Sequence, residues 1–350
     1  MRKLKIENKY IGENEPCFII AEVGVNHNGD IELAKKLIDA AKDAGADAVK
    51  FQTFKVDELV TRKAKKAKYQ EQSTSVNETQ YDMLKKLELT EDDFRELANY
   101  SRKKGIIFLS SPFDKASVDL LQEIGVPAFK IASGEITNFP LLKYIAQKKK
   151  PIILSTGMAT LGEIEEALRV IRNEGNEKII LLHCTSSYPT KIEDVNLRAI
   201  CTLRSAFKLP VGLSDHTTGI IVPVAAVALG AVIVEKHFTL NKKMPGPDHK
   251  ASLEPHELKA MIRAIRGLEK ALGNGIKKPT NEEEKIKMVA RRGIFARKNI
   301  RKGEIIREDM LTTKRPVEGI SAKYFYKILG MKAKEDIMKD EAITWDKLEW

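Results

Sequence analysis

Eight apolar runs, each ending in polar residues, recur between positions 18 and 239 of the chain. Stretches with helical periodicity separate most of them, such as IELAKKLIDAAKDAG at 31–45 and EPHELKAMIRAIRGLEKALG at 254–273. A strand and a helix that alternate eight times predict an α/β fold in which a parallel sheet closes into a (β/α)8 or TIM barrel. The runs are FIIAEVG (18–24), AVKFQT (48–53), IIFLSSPF (106–113), AFKIASGE (128–135), PIILSTG (151–157), IILLHCTS (179–186), PVGLSDHT (210–217) and VIVEKHFT (232–239).

The polar residues at the ends of these runs predict an active site. In barrels of this kind the site lies at the C-terminal ends of the strands, so these side chains are expected to meet at one mouth. Residues two apart on a strand share a face, which places Glu235 beside His237 and Lys50 beside Gln52. The residues expected at the mouth are Glu22, Lys50, Gln52, Ser111, Lys130, Ser133, Glu135, Ser155, Ser214, His216, Glu235 and His237.

The chain is predicted to divide into a barrel domain, a linker and a small second module. Residues 1–273 form the barrel, and the polar, turn-rich residues 274–285 form the linker. Residues 286–350 contain short β-like runs and no long helical pattern, so we predict a β-rich module that covers a site rather than containing one. The polar segment 54–89 is predicted to be irregular, and loops of that length often act as lids or binding loops.

Composition excludes several classes of partner. The 350 residues include 60 basic and 49 acidic ones, a formal net charge of +11, but the lysines are dispersed and do not alternate with aromatic residues, so we expect no nucleic-acid partner. No run approaches the ~20 apolar residues that span a bilayer, and the charged N-terminus predicts no secretory signal. The three cysteines lack CxxC spacing and are typical of reduced thiols, which predicts a cytoplasmic protein.

Two histidines occupy matching positions on the predicted seventh and eighth strands. His216 and His237 are therefore expected to lie side by side at the mouth. One interpretation is an open divalent metal site that polarises a carbonyl group, and the other is a pair of ordinary histidines at a polar rim. Two histidines without cysteine favour an exchangeable Mn²⁺ or Mg²⁺ ion over structural zinc.

Two lysines lie inside apolar strands, where a charge is costly to bury without a partner. Lys50 and Lys130, together with nearby serines, are interpreted as a cradle for a phosphate or a carboxylate, although a single lysine of this kind is also compatible with a salt bridge or a Schiff base. Glu22 and Glu135 either pair with the lysines or handle a water molecule or a proton.

Asp248 lies in the PGPDHKAS segment, interpreted as a rigid arm over the mouth or as a surface turn. No Walker or GxGxxG loop occurs, which argues against nucleotide binding.

The ordered motifs of the chain resemble the sialic acid synthase family, N-acetylneuraminate synthase and its relatives, over nearly the whole length. KRPVEGI at 314–320 is similar to that family's antifreeze-like (SAF) domain. The resemblance implies a metal-dependent condensation of phosphoenolpyruvate with the open-chain aldehyde of an N-acetylated amino sugar, with C–O cleavage, to a nine-carbon 2-keto acid and inorganic phosphate. We expect N-acetylmannosamine as the sugar, with legionaminic or pseudaminic acid synthases acting on 2,4-diacetamido sugars as the alternative. The motifs are AEVGVNHNGD, VKFQTF, SSPFD, FKIASGE, ILSTGM, LLHCTSSYP, GLSDHT, EKHFT and PGPDH.

The same resemblance implies a role for each motif residue. His216 and His237 would hold Mn²⁺ or Mg²⁺, and Glu22 would orient the attacking water. The family's domain-swapped homodimer implies that Arg315 reaches the sugar from the partner chain. Ser186 and Ser187 stand before Tyr188, where well-known bacterial members commonly have an asparagine before their triplet, so the sugar contact differs here. The implied contacts to phosphoenolpyruvate are Lys50, Ser111, Lys130, Ser133, Ser155 and Ser214, and those to the sugar are Gln52, Glu135, Tyr188, Asp248 and Arg315.

Two other functions compete with this interpretation. A barrel aldolase would use Lys130 as a Schiff base with pyruvate. A non-catalytic carbohydrate- or ice-binding protein would need a flat, threonine-rich surface on the C-terminal module, and the sequence has no such repeat. That second function also leaves the polar strand ends unexplained.

Overall fold

Eight parallel strands form one sheet in the computed structural model, which describes residues 3–67 and 78–350. The strands follow the order β5-β4-β3-β10-β9-β8-β7-β6, and the outer two, β5 and β6, lie next to each other. No backbone ladder joins β5 to β6 in the described ranges, so the barrel is nearly closed, and the predicted barrel fold is confirmed. The strands are β3 (Phe18–Gly24), β4 (Ala48–Thr53), β5 (Ile107–Pro112), β6 (Phe129–Ile131), β7 (Ile152–Ser155), β8 (Ile179–Cys184), β9 (Val211–Asp215) and β10 (Ile233–His237).

Helices follow most strands and cover the outside of the barrel. The helix Ile31–Ala44 begins where the Asp30 carboxylate accepts hydrogen bonds from two backbone amides, and it ends at Gly45 in the left-handed conformation. The helix Glu91–Lys104 begins with the capping box of Thr90. The remaining helices around the barrel are Lys115–Ile124, Phe139–Gln147, Leu161–Asn173, Ala199–Phe207, Ile221–Ala228 and Pro255–Leu272.

Alternation along the strands divides the barrel residues into two apolar layers. Outward side chains such as Ile19 and Val234 pack against the helices. Inward side chains such as Ile20 and Ile233 fill the N-terminal part of the barrel, together with the hairpin β1 (Leu4–Ile6) and β2 (Lys9–Ile11). Apolar packing thus closes the N-terminal end, and the C-terminal ends of the strands carry the polar inward positions at which a site can form.

The segment after β4 differs from the irregular loop that the sequence predicts. Short helices form at Val56–Leu59 and Gln80–Lys85, and Val56 belongs to a small apolar cluster with Phe54 and Leu87. Apolar residues spaced through a polar segment give this region a core of its own. Residues 60–67 and 86–89 are irregular, as predicted, and the part of the prediction at 68–77 lies outside the described residues.

Residues 274–350 form a second compact unit with its own apolar core. The helix Asn281–Ala290 begins in the predicted linker with a capping box at Thr280, so residues 281–285 are helical. Two short antiparallel pairs follow, and the described ranges contain no helix long and apolar enough to cross a membrane. The strands are β11 (Gly293–Ala296), β12 (Leu311–Lys314), β13 (Lys332–Ala333) and β14 (Leu348–Glu349).

Candidate active site

Two buried lysines and two buried glutamates form one cluster at the C-terminal end of the barrel. Lys50 Nζ lies 2.7 Å from Glu22 Oε2 and 3.8 Å from Glu235 Oε2. Lys130 Nζ lies 3.4 Å from Glu235 Oε1 and donates to the Ile131 carbonyl. Because strand register places Glu22 beside Lys50, and all four side chains point inward, four charges from β3, β4, β6 and β10 converge. The cluster is electrically balanced as two ammonium and two carboxylate groups.

The local environment shifts each pKa in this cluster. Burial, opposed by Lys50 and reinforced by Glu235, raises the pKa of Glu22 to about 7. Burial disfavours the ammonium of Lys50, but Glu22 and Glu235 outweigh it and the pKa of Lys50 is raised. Burial and the neighbouring Lys50 lower the pKa of Lys130 despite the attraction of Glu235. Burial of Glu235 is outweighed by both lysines, so its pKa is lowered. Glu22 is therefore the carboxylate able to exchange a proton near neutral pH.

Serine hydroxyls surround the two lysines. Ser111 Oγ accepts a hydrogen bond from Lys50 Nζ at 3.1 Å, and Ser214 Oγ donates to Glu235 Oε1 at 3.0 Å. Ser133 Oγ accepts from the Gly157 amide at 3.0 Å. Ser155 Oγ is buried and has no hydrogen-bond partner among the described residues. Buried hydroxyls normally have a partner, so Ser155 is a donor available to a ligand.

Glycine at two positions allows the backbone to approach this cluster. A Cβ at Gly157 would lie 2.3 Å from Ser186 Oγ and 2.8 Å from Ser133 Oγ. Gly24 has φ +55°, and a Cβ there would lie 3.1 Å from Glu22 Oε1. Both contacts are tighter than a side chain tolerates without displacement, so glycine preserves the positions of Ser133 and Glu22.

The histidines meet beside the charged cluster, as the strand positions predict. The ring centroids of His216 and His237 lie 5.3 Å apart. His216 Nδ1 lies 2.8 Å from the Thr185 carbonyl and therefore donates to it, which leaves Nε2 with a free lone pair. Burial of His216 is outweighed by Cys184 and the Thr185 carbonyl, so its pKa is raised. Burial of His237, with repulsion from His216 and Lys50, lowers its pKa well below the usual value.

These histidines fit an exchangeable divalent ion better than a structural one. His237 Nδ1 is buried and has no hydrogen-bond partner in the described part of the chain, and it lies 4.0 Å from Asp248 Oδ2. Within residues 3–67 and 78–350, no group of three or more His, Cys, Asp or Glu side chains is arranged to hold a metal. A metal at this position would have two imidazole ligands from the protein and would complete its shell with water or substrate.

The residues predicted to contact the sugar fall into two groups. The Tyr188 ring lies 4.1 Å from that of His216, and Gln52 Nε2 donates to Glu22 Oε1 at 3.4 Å. Burial raises the pKa of Asp248 to about 6. Glu135 follows β6 and accepts from Asn138 Nδ2; burial raises its pKa, and Asn138 partly offsets that effect. These four lie in the barrel unit.

Arg315 lies in the second unit, directly before a cis peptide bond to Pro316. Its contact with the sugar of a partner chain stays a prediction.

Glu235 is the residue whose role the sequence reasoning missed. Strand alternation predicts Glu235 on the inner face beside His237 but indicates no role for it. In the structure its carboxylate accepts a hydrogen bond from Ser214 and is paired with both lysines. The signal was present, because two lysines in apolar strands require carboxylate partners and Glu235 is an inward acidic residue on a neighbouring strand.

Comparison with known proteins identifies a family for each of the two units of the chain. Residues 37–277 match the NeuB family model and residues 291–349 match the SAF domain model. N,N'-diacetyllegionaminic acid synthase of Campylobacter jejuni is 56% identical over 327 residues, covering 93% of this chain and 98% of its own. The enzyme of the same name from Legionella pneumophila is 47% identical, with 97% and 96% coverage.

A solved structure supports the match in three dimensions. The crystal structure of N-acetylneuraminic acid (sialic acid) synthetase from Leptospira borgpetersenii, in complex with citrate, superposes with a TM-score of 0.72 at 39% identity. The alignment covers 81% of this chain and 95% of that one. The family model, the relatives and the superposition agree with the barrel fold, and the chain belongs to the NeuB family of sialic-acid-type synthases, with a SAF domain at residues 291–349.

Proposed function

We propose that the protein condenses phosphoenolpyruvate with the open-chain aldehyde of a 2,4-diacetamido hexose, as an N,N'-diacetyllegionaminic acid synthase. The observation that carries the proposed reaction is the buried cradle of Lys50, Lys130 and Ser155 beside the histidine pair. The choice of sugar rests on the relatives. Those named for diacetyllegionaminic acid are 56% and 47% identical, against 39% for the sialic acid synthetase, and this favours the diacetamido sugar over the expected N-acetylmannosamine.

The cradle suits an enol phosphate that carries both a phosphate and a carboxylate. Lys50 and Lys130 supply two positive charges out of water, where attraction to an anion is strong. The hydroxyls of Ser111, Ser155 and Ser214 supply directional hydrogen bonds. In the substrate-free protein Glu22 and Glu235 hold the ammonium groups of Lys50 and Lys130 in position. When the anionic substrate binds, the two ammonium groups would turn from these carboxylates towards it.

His216 and His237 would hold a divalent Mn²⁺ or Mg²⁺ ion. The Thr185 contact occupies Nδ1 of His216 and leaves Nε2 with a lone pair, and His237 Nδ1 has no hydrogen-bond partner among the described residues. When bound, the ion supplies Lewis-acid polarisation of the aldehyde carbonyl. The chain's own contribution is to orient both imidazoles and to keep that of His237 neutral. Burial keeps His237 unprotonated, and the Thr185 carbonyl fixes the tautomer of His216.

The proposed reaction joins C3 of phosphoenolpyruvate to the aldehyde carbon. The aldehyde oxygen takes up a proton and becomes a hydroxyl group. Water adds to C2 and loses one proton to Glu22, which leaves a hydroxyl group on C2. The C2–O bond to phosphate then breaks, the electron pair leaves with the phosphate, and the C2 hydroxyl proton passes to the phosphate, giving the 2-keto acid and inorganic phosphate. A carboxylate with a pKa of about 7 is well suited to accept the proton of the attacking water near neutral pH. Holding both substrates in one mouth makes the C–C step effectively intramolecular.

A phosphate-release assay with phosphoenolpyruvate and a panel of 2-acetamido and 2,4-diacetamido hexoses tests this proposal. We expect metal-dependent phosphate release, fastest with a 2,4-diacetamido hexose. Borohydride added during turnover separates it from the Schiff-base aldolase, since the synthase should leave no covalent adduct on Lys130. An adduct at Lys130, or pyruvate acting in place of phosphoenolpyruvate, would overturn the proposal.

A further inference from the structure

The loop that carries Asp248 is tied to the turn after β3 by a set of side-chain hydrogen bonds. Asn28 Nδ2 donates to the Pro245 carbonyl at 3.0 Å, and Asn28 Oδ1 lies 3.1 Å from His249 Nε2. His249 Nδ1 lies 2.7 Å from Thr239 Oγ1. Asn28 and His249 are thus bonded to each other, and they link the loop to Thr239 and to the turn after β3.

These contacts fix the tautomer of His249. Because the Asn28 amide nitrogen donates to Pro245, its oxygen is the acceptor that faces His249, and His249 Nε2 carries the hydrogen. His249 Nδ1 then accepts from the Thr239 hydroxyl. The His249 side chain is fully buried, and each ring nitrogen is used by the fold. The His249 ring is therefore held at both nitrogens, between Asn28 and Thr239.

Close packing and a second set of hydrogen bonds reinforce the loop. Gly246 has φ +145°, and a Cβ there would lie 2.7 Å from the His249 ring and 2.9 Å from Asn28 Oδ1. Asn26 Nδ2 donates to Ser252 Oγ, which donates to the Asp248 carbonyl oxygen at 2.7 Å. The backbone of Asp248 is therefore held on both sides.

We propose that Asn28 and His249 are positioning residues that lock residues 245–252 so that the Asp248 carboxylate faces His237 at the mouth. The inference rests on the proposed function for its sugar, because Asp248 is the predicted sugar contact on this loop. It does not require either residue to touch substrate. Asn28 and His249 act through Asp248, whose Oδ2 lies 4.0 Å from His237 Nδ1.

Asn28→Gly in the full-length protein is the most direct test. Asn28 has φ +52°, which glycine adopts without strain, so the substitution removes both side-chain hydrogen bonds and preserves the backbone. Asn14→Gly is the matched control, because Asn14 also has positive φ (+65°) and lies in an exposed loop near the N-terminal end of the barrel. His249→Phe is a second variant, which replaces the imidazole with a phenyl ring that cannot form these hydrogen bonds.

Two readouts distinguish positioning from general stability. Asn28→Gly should raise KM for the sugar about tenfold, the effect of losing two hydrogen bonds of ordinary strength, and should change KM for phosphoenolpyruvate less than about twofold. In an Asp248→Asn background, the same substitution should add little further loss. Asn14→Gly should change neither KM.

Hydrogen exchange of the substrate-free protein tests the locking without reference to any sugar. Amides at 251–253, which donate within the loop and to β10, should exchange at least tenfold faster in Asn28→Gly and in His249→Phe. Exchange equal to wild type in both variants, or an equal rise in both KM values, would overturn the inference. If no sugar is turned over by the wild type, the proposed function fails while the exchange result still decides the locking.

Discussion

Glu235→Gln should destabilise the barrel strongly, because its carboxylate lies within 4.0 Å of two buried lysines. Its oxygens lie 3.4 Å from Lys130 Nζ and 3.8 Å from Lys50 Nζ. At an effective dielectric of about 20, each attraction is about 4–5 kcal/mol, part of which offsets the desolvation of the charges. Glutamine keeps an acceptor for Ser214 and removes the charge. Lys130 is then left with the Ile131 carbonyl, and we expect the free energy of unfolding to fall by about 3–5 kcal/mol.

Denaturant unfolding followed by far-ultraviolet circular dichroism measures this loss. Both tryptophans, Trp345 and Trp350, lie in the second unit, so their fluorescence would report on the wrong domain. Glu32→Gln is the matched control. Glu32 pairs with Lys35 at 2.6 Å on an exposed helix face, where an ion pair contributes little. If Glu235→Gln is no more destabilising than Glu32→Gln, Glu235 does not hold the two lysines in the free protein.

Phosphoenolpyruvate provides a second readout of the same substitution. Its negative charge would replace the missing carboxylate beside Lys130, so saturating phosphoenolpyruvate should stabilise Glu235→Gln more than wild type. Equal stabilisation of the two proteins would mean that the anion binds away from Lys130.

Three further substitutions test neighbouring parts of the site. Ser155→Ala should leave thermal stability unchanged, since its buried hydroxyl has no hydrogen-bond partner within residues 3–67 and 78–350, and should raise KM for phosphoenolpyruvate about tenfold; unchanged KM would remove Ser155 from the cradle. Lys236→Met should cost about 3–5 kcal/mol in chemical unfolding by leaving the buried Asp215 unpaired, and adding Asp215→Asn should recover part of that loss; no recovery would show that charge burial is not the cause. Gly24→Ala should lower kcat without loss of soluble protein, because its Cβ presses on the Glu22 carboxylate; wild-type kcat would mean that this contact relaxes freely.

Much of the fold was accessible from the sequence because barrel strands and their faces follow simple periodicities. Each apolar run became a strand to within a few residues, and period-two alternation placed Lys50, Ser214 and His237 on the inner face. Glycine and threonine, which are typical of helix ends, stand at observed helix limits, as at Gly45 and Thr90. These signals are local, and a single sequence carries them.

The features that could not be predicted from the sequence are mostly contacts between side chains on different strands and loops. Alternation shows that Glu235 points inward, but not that its carboxylate meets lysines from two other strands. The contacts of Asn28 with Pro245 and His249 join residues more than 200 positions apart, and no periodicity encodes them. Helical residues 281–285 were missed because a polar, turn-rich composition outweighed the capping signal of Thr280.

Competition between two sugars measures the proposed specificity most directly. Equal concentrations of a 2,4-diacetamido hexose and N-acetylmannosamine are mixed with limiting phosphoenolpyruvate and Mn²⁺, and the two nine-carbon products are resolved by mass. The product ratio equals the ratio of kcat/KM values, and we expect at least tenfold more product from the 2,4-diacetamido hexose, equivalent to about 1.4 kcal/mol of discrimination. A majority of N-acetylneuraminate, or neither product, would contradict the proposed synthase.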